Sequence, residues 1–123
     1  MRRRDVVVPA LEGLGLHPTR ARFAPDALVL DDAAPRGALA GEFLVQDEAS
    51  QLVVTLLDPQ PGERVLDVCA APGTKTTGIA EALVDTDGHF RGLVLALDRN
   101  PQRLGLVARA ARHRMGALAL TDA

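Results

Sequence analysis

The spacing of apolar residues changes near residue 40. Before it, prolines and glycines recur at short intervals and leave room for one short helix and one short strand. The strand is predicted at residues 27–30, and Pro9 is tolerable in the helix only within its first turn. The predicted helix face consists of Val6, Val7, Ala10, Leu11 and Leu14.

A strand is predicted at residues 42–46, followed by a helix. Asp47 can cap this helix by accepting backbone N–H bonds. The helix should end before residues 58–62, where two prolines lack amide hydrogens. Its apolar residues at helical spacing are Ala49, Leu52, Val53, Leu56 and Leu57.

Strands and helices alternate from residue 64 onward. Short apolar runs predict buried strands at 64–69, 93–97 and 117–120, and helices at 76–84 and 101–115. One side of the second helix carries Leu104, Val107, Ala108, Ala111 and Met115. This order predicts an α/β fold with a parallel sheet covered on its faces, preceded by a small α+β segment. Ligands of such sheets bind outside the carboxyl ends of the strands.

Composition restricts the class of protein. With 123 residues, 47% hydrophobic content, 24% charged content and a net charge of −2, the chain has the profile of a soluble globular domain and not of a collagen, a disordered chain or a coiled coil. Its single cysteine cannot form an internal disulfide, and no apolar run suits export or membrane insertion. We therefore expect a cytoplasmic protein without a membrane partner. Three Phe with no Trp or Tyr disfavour a base-stacking platform.

A loop of small residues follows the first strand of this sheet. Ala70, Ala71 and Gly73 would let a ligand approach the backbone, and the helix that follows presents free N–H groups to an anion. A tight turn without a ligand is the alternative interpretation. A nucleoside-triphosphate loop would need glycines where Cys69 and Thr74 stand, and the dinucleotide pattern Gly-x-Gly-x-x-Gly is missing.

Asp98 ends the second strand. A carboxylate at this position commonly accepts hydrogen bonds from both hydroxyls of a ribose. Asp98 could instead cap the helix that follows Asn100 and Pro101. Loop and acid together favour a nucleoside site.

The chain resembles the Sun/Nop family of RNA (cytosine-5) methyltransferases, in particular its bacterial ribosomal-RNA branch. The resemblance rests on QDEASQ at 46–51, LDVCAAPGTKT at 66–76, LDRN at 97–100 and RL at 103–104. It implies a Rossmann-like methyltransferase fold that binds S-adenosylmethionine. The cofactor-binding residues that it implies are Cys69, Ala70, Ala71, Pro72, Gly73, Thr74, Lys75, Asp98 and Asp122.

The resemblance also implies a role for each part of this set. The loop would wrap the methionine and ribose, Asp98 would hold the ribose hydroxyls, and Asp122 would contact the adenine amine. Asp67 would fix the loop by accepting backbone bonds. Thr74 stands where the family more often has Gly.

In the family, the nucleophilic cysteine and a second cysteine that assists release lie in later motifs. Cys69 aligns with neither, so no catalytic residue is predicted in this chain. We therefore expect a C-terminally truncated fragment that is inactive alone, with a remnant of an N-terminal RNA-binding-type subdomain at 1–40 and the N-terminal half of the methyltransferase domain at 41–123. The expected partner is RNA, either rRNA or tRNA, with no metal, and the full-length family is expected to be monomeric.

A run of arginines gives a local charge of +5, with no acid at residues 99–116. Its members are Arg99, Arg103, Arg109, Arg112 and Arg114. They could contact RNA phosphates, but a solvated helix face is favoured because no aromatic residues interleave them. The alternatives to a methyltransferase fragment are a non-catalytic nucleoside-binding or RNA-binding module and an inert truncated product.

Overall fold

The computed structural model describes residues 4–24, 27–30, 46–112 and 119–122. The chain forms two compact units, Met1–Leu52 and Val53–Ala123. The boundary expected between residues 40 and 41 lies outside the described residues, as does nearly all of the strand predicted at 42–46. No helix in the described ranges combines the length and apolar character needed to cross a membrane.

The first unit begins with helix α1, Arg4–Glu12. Val7 and Leu11 of the predicted helix face are buried, whereas Leu14, predicted on the same face, lies beyond the end of α1 and is 47% exposed. Pro9 is the sixth residue of α1, so the expectation that it lies in the first turn is wrong. Pro9 is exposed, and on that side of the helix water can take the place of the missing backbone bond.

Two short strands follow, β1 at Thr19–Arg20 and β2 at Leu28–Val29. They pair antiparallel, with Thr19 opposite Val29 and Arg20 opposite Leu28. Strand β2 confirms the core of the strand predicted at 27–30. Strand β1 was not predicted, because two exposed polar residues carry no apolar pattern.

Helix α2 comprises Glu48–Leu57. Asp47 caps it as predicted, since one carboxylate oxygen accepts the Ser50 amide at 2.8 Å and the other accepts the Ser50 hydroxyl at 2.9 Å. The helix ends before Asp58 and Pro59, also as predicted. Its predicted apolar stripe, however, is not buried: Leu56 is 76% exposed, because no described element covers that side.

The second unit contains a parallel sheet in the order β3-β4-β5, formed by Arg64–Asp67, Leu93–Asp98 and Ala119–Asp122. Helix α3, Thr74–Ala82, connects the first pair of strands, and α4, Pro101–Arg112, connects the second pair. The predicted alternation and the α/β class are confirmed. Met115, placed by the sequence on the inner side of α4, lies outside the described residues.

Both helices cover the same face of the sheet. Val94 of β4 packs with Ile79 and Leu83 of α3, and Ala96 packs with Val107 of α4. Both crossovers step along the sheet in the same direction, so their common right-handed sense places α3 and α4 on one side.

The opposite face is open in the described part of the chain. Leu66 of β3 is 53% exposed, and Val68, just after the strand, is 69% exposed. The expectation of a fully buried first strand is therefore wrong at Leu66, and among the described residues only one face of the sheet is covered. The side chains of β3 alternate between the covered and the open face, as the pleat of a strand requires.

Leu83 and Leu56 provide a matched test of this packing. Leu83 is fully buried between α3 and β4, whereas Leu56 is exposed. We expect Leu83→Ala to lower the free energy of unfolding by about 2–5 kcal/mol through lost burial and an unfilled cavity. Leu56→Ala should change it by no more than about 0.5 kcal/mol. Urea unfolding of both variants measures the difference, and equal losses would contradict the one-sided packing.

Candidate functional site

The register of the sheet brings the predicted site residues to one edge. Asp67 lies beside Ala96 on β4, and Asp98 lies beside Asp122 on β5. The loop that follows β3, the Asp98 carboxylate and the backbone of Asp122 therefore share the carboxyl edge of the sheet. This is the edge at which open parallel sheets bind ligands.

The carboxylate of Asp67 ties the end of β3 to the start of α3. One oxygen accepts the Cys69 amide at 3.1 Å, and the other accepts the Thr76 hydroxyl at 2.7 Å. Asp67 and Thr76 are both buried. The predicted role of Asp67 in fixing the loop is confirmed. The part played by Thr76 was missed, because a threonine in a helix gives no sign of its partner.

The small residues of the loop face the protein interior. Ala70 and Ala71 belong to a buried cluster with Ala96 and Val107. Gly73 has a φ of 112°, and a Cβ built on it would lie 2.9 Å from Cα of Val107. Close packing of the loop on α4 therefore requires small residues at these positions, independently of any ligand.

Most loop amides already have acceptors within the chain. The Cys69 amide donates to Asp67, the Ala70 amide donates to the Leu97 carbonyl at 3.0 Å, and the Ala71 amide donates to Asp98 at 3.1 Å. The first turn of α3 is different, because its amides have no intrahelical partner and its N-cap, Gly73, provides no side-chain cap. An anion at this site would meet these amides and the positive end of the helix dipole.

Asp98 is buried and accepts a backbone amide on each oxygen. The Asn100 amide donates to one oxygen at 2.9 Å, and the Ala71 amide donates to the other. A carboxylate has about four acceptor positions, so each oxygen can accept one further bond. Two such bonds match the two hydroxyls of a ribose.

Asp98 is not the cap of α4. The side-chain oxygen of Asn100 accepts the amides of Gln102 and Arg103 at 3.0 and 3.2 Å, so Asn100 caps the helix. The alternative role considered for Asp98 is thus wrong. The capping position is one residue before Pro101, the first residue of α4.

The surroundings of Asp98 favour its charged form. Its pKa lies below the usual value, chiefly because the Asn100 amide donates to it, while burial opposes the shift; the Ala71 amide and the positive charges of Arg103 and Arg99 add to the lowering. Arg103 also donates to the Ala71 carbonyl at 3.5 Å. Arg103 was not predicted as a site residue, although the Arg103-Leu104 pair belongs to the family resemblance.

The remaining loop residues present surface to solvent. Cys69 and Pro72 are exposed, and Thr74 and Lys75 are half-buried. Arg99, Arg103 and Arg109 are exposed as well, whereas the last arginine of the run, Arg114, lies outside the described residues. Among the described residues, no group of three or more His, Cys, Asp or Glu side chains is placed to hold a metal ion.

A parallel α/β sheet with a tight loop after its first strand and an acid at the end of the second is the arrangement of a Rossmann-like nucleotide-binding fold. The family model described as 16S rRNA methyltransferase RsmB/F matches residues 54–122. The chain belongs to this family, whose members are S-adenosylmethionine-dependent RNA methyltransferases.

Known relatives agree with this assignment. The chain is 42% identical over 108 residues to ribosomal RNA small subunit methyltransferase B of Citrobacter koseri, a match that covers 85% of this chain and 24% of the relative. It is 38% identical over 120 residues to the human 28S rRNA (cytosine(4447)-C(5))-methyltransferase, with coverages of 94% and 14%. The chain therefore spans about a quarter or less of the length of these relatives.

Two solved structures share the fold. The crystal structure of PH0851 matches with a TM-score of 0.82 and 29% identity, covering 99% of this chain and 27% of that one. NSun6 from Pyrococcus horikoshii, solved with SFG, matches with a TM-score of 0.82 and 14% identity, covering 99% of this chain and 55% of that one.

Gly73 and Gly88 allow the close approach to be separated from backbone strain. Both have positive φ, but a Cβ at Gly88 would meet no atom within 4 Å, whereas one at Gly73 would meet the backbone of Val107. We expect Gly88→Ala to cost about 1 kcal/mol from strain, and Gly73→Ala to cost at least about 1–3 kcal/mol more from overpacking. Chemical unfolding measures both costs, and equal values would show that the loop does not depend on contact with α4.

The depressed pKa of Asp98 predicts a pH dependence of stability. Because the unfolded chain binds this proton more readily, the ionised carboxylate stabilises the fold above its unfolded pKa, and this contribution is lost as the pH falls through the lower folded pKa. We expect Asp98→Asn to be less stable than the parent at neutral pH and to show a shallower decline in acid. Thermal unfolding of the parent, Asp98→Asn and the exposed control Asp87→Asn between about pH 7 and pH 2 tests this. Parallel curves for all three proteins would contradict it.

Proposed function

We propose that this chain is the cofactor-binding part of an enzyme that transfers a methyl group from S-adenosylmethionine to carbon 5 of cytosine in ribosomal RNA. The observation that carries the proposal is the geometry of Asp98, a buried carboxylate at the carboxyl end of β4 with one acceptor position left on each oxygen. Relatives named as rRNA methyltransferases support the RNA substrate, and the 28S enzymes among them support the cytosine carbon 5 target.

The proposed roles follow the positions of the residues. The two open acceptor positions of Asp98 take the ribose hydroxyls, and the first-turn amides of α3 take the methionine carboxylate. The exposed or half-buried loop residues contact the cofactor; they are Cys69, Pro72, Thr74 and Lys75. Ala70, Ala71 and Gly73 shape the loop through packing, and Asp122, beside Asp98, is assigned to the adenine amine. SFG, an analogue of S-adenosylmethionine, in NSun6 supports a cofactor of this class.

The proposed reaction needs a methyl donor and a nucleophilic thiolate, and only the donor site is assigned to residues of this chain. S-adenosylmethionine supplies an electrophilic methyl group when bound. Cytosine carbon 5 becomes nucleophilic only after a thiolate adds to carbon 6. Cys69 is the chain's single cysteine, and its amide is held by Asp67 within the cofactor loop. We assign the methyl-donor site to this chain and do not assign the nucleophilic thiolate to Cys69.

The proposal extends to the compartment, the RNA partner and the oligomeric state. A single cysteine and the absence of a disulfide framework support a reducing compartment, the cytoplasm. The names of the relatives support ribosomal RNA as the partner. A monomeric whole protein without a metal ion completes the proposal.

Calorimetric titration of the chain with S-adenosylhomocysteine tests the site. Asp98→Ala should weaken binding about tenfold or more, because a hydrogen bond to a charged group is worth about 1.5–3 kcal/mol. Asp87→Ala removes an exposed aspartate from a turn away from the loop and should leave affinity unchanged. Equal affinity of the parent and Asp98→Ala would overturn the assignment.

Asp98 also accepts two backbone amides, so a substitution there can weaken binding by disturbing the loop. A ligand that lacks a ribose hydroxyl separates this effect from the loss of a direct contact. The 2′-deoxyribose analogue of S-adenosylhomocysteine should bind the parent about tenfold more weakly than the full ligand, and the two should bind Asp98→Asn with nearly equal affinity. The same discrimination in both proteins would show that Asp98 shapes the loop without touching the ribose.

A further inference from the structure

Two consecutive threonines of α3, Thr76 and Thr77, are fully buried. A buried hydroxyl needs a hydrogen-bond partner, and the two hydroxyls have different ones. Thr77 donates to the carbonyls of Gly73 and Thr74 at 2.9 and 3.0 Å, at the start of its own helix. Thr76 donates at 2.7 Å to the Asp67 carboxylate, at the end of β3. Of the two hydroxyls, that of Thr76 therefore joins α3 to the sheet.

The bond from Thr76 determines where the Asp67 carboxylate lies. Asp67 is itself buried, so water does not readily replace a lost partner. Its other oxygen accepts the Cys69 amide at 3.1 Å. A carboxylate with a donor on each oxygen is held in one plane, and hydrogen bonds to a charged group are the stronger ones. Thr76 thus sets the position from which Asp67 holds the beginning of the loop.

The same carboxylate lies beside backbone amides that have no intrahelical partner. These amides belong to the first turn of α3, and no side chain at the N-cap, Gly73, accepts them. Thr76 lies in that turn, so a carboxylate that accepts its hydroxyl is also close to its amide. A side-chain carboxylate is a favourable cap for a helix N-terminus. Asp67 is therefore a potential internal competitor for any anionic ligand of these amides.

We propose that Thr76 is a positioning residue that keeps the first-turn amides of α3 available to the carboxylate of the cofactor, an inference that rests on the proposed function. Its hydroxyl takes the Asp67 oxygen that would otherwise cap the helix. The vacant amides then bind the methionine carboxylate. A ligand without that carboxylate gains nothing from Thr76. Thr76 thus contributes to selectivity for S-adenosyl compounds that carry the amino-acid portion over nucleosides that lack it.

A comparison of S-adenosylhomocysteine with 5′-methylthioadenosine tests this role, because the second ligand has the same adenosine but no amino-acid carboxylate. Calorimetric titration of the parent chain should show about tenfold or stronger preference for S-adenosylhomocysteine. Thr76→Val keeps the branched shape and removes the hydroxyl. It should weaken S-adenosylhomocysteine binding about tenfold and change 5′-methylthioadenosine binding by less than about twofold. Thr76→Ser should restore the preference of the parent.

Thr77→Val is the matched control, since it removes an equally buried hydroxyl from the next position of the helix. The Gly73 carbonyl also accepts the Thr77 amide at 2.9 Å, so the start of α3 keeps this bond without the hydroxyl. We expect Thr77→Val to have the same ratio of the two affinities as the parent. A general loosening of the fold lowers both affinities together and leaves their ratio unchanged. An equal loss of preference in Thr76→Val and Thr77→Val would therefore overturn the inference.

Urea unfolding provides a second measurement. If Asp67 turns to the helix amides when the hydroxyl is removed, it exchanges one donor for another. Thr76→Val should then unfold at a urea concentration no lower than that of Thr77→Val. A Thr76→Val chain that fails to fold, or that is clearly less stable than Thr77→Val, would show that the Asp67 carboxylate found no amide, and it would contradict the proposed competition.

The parent chain separates this inference from the proposed function. A parent that binds neither ligand, or that binds both equally, overturns the placement of the methionine carboxylate at α3. A parent that prefers S-adenosylhomocysteine, with the same preference in Thr76→Val, overturns the role of Thr76 alone. A preference that is lost in Thr76→Val and retained in Thr76→Ser and Thr77→Val supports both.

Discussion

The buried carboxylate of Asp98 joins three segments that are distant in sequence. It ends β4, accepts an amide from the loop after β3 and accepts another from the residue that caps α4. Burying a charge is unfavourable unless hydrogen bonds replace those it makes with water. Asp98 can therefore be both buried and ionised only while the loop and the start of α4 supply these amides. In return, Asp98 keeps both segments at the carboxyl edge of the sheet.

Asp67 repeats this arrangement at the end of the preceding strand. Its carboxylate joins the loop amide of Cys69 to the Thr76 hydroxyl in the first turn of α3. Asp67 thus fixes both ends of the loop, and Asp98 fixes its middle at Ala71; the two carboxylates end neighbouring parallel strands. Such a loop loses little conformational entropy when a ligand binds to it, which is the advantage of a preorganised site. The first-turn amides of α3 have no intrahelical partner and are the backbone donors to which the proposed function assigns the methionine carboxylate.

Much of this arrangement could be predicted from sequence. Alternating apolar strands and helices indicated the parallel sheet, and the breaker at 58–62 and the Asp47 cap defined α2, because these signals are local. Burial was harder to predict, since the exposure of Leu56 and Leu66 depends on which elements cover them. Asn100, and not Asp98, caps α4. The Asp98 carboxylate instead accepts a loop amide that is 27 residues away in sequence, and such a long-range partner gives no local sequence signal. The sequence also indicated a ligand as the reason for small loop residues, while the structure shows packing on α4.

The packing on α4 links stability to ligand binding. Val107 belongs to the buried cluster beneath the sheet and is also the residue on which Gly73 rests. In the described part of the chain, the sheet is covered on one face only, so α3 and α4 supply most of its buried contacts. A ligand that binds the packed form of the loop therefore stabilises the layer that carries the core, by an amount that grows with the ratio of free ligand concentration to Kd. Conversely, a substitution that loosens Val107 from the loop weakens the site even though Val107 does not line it.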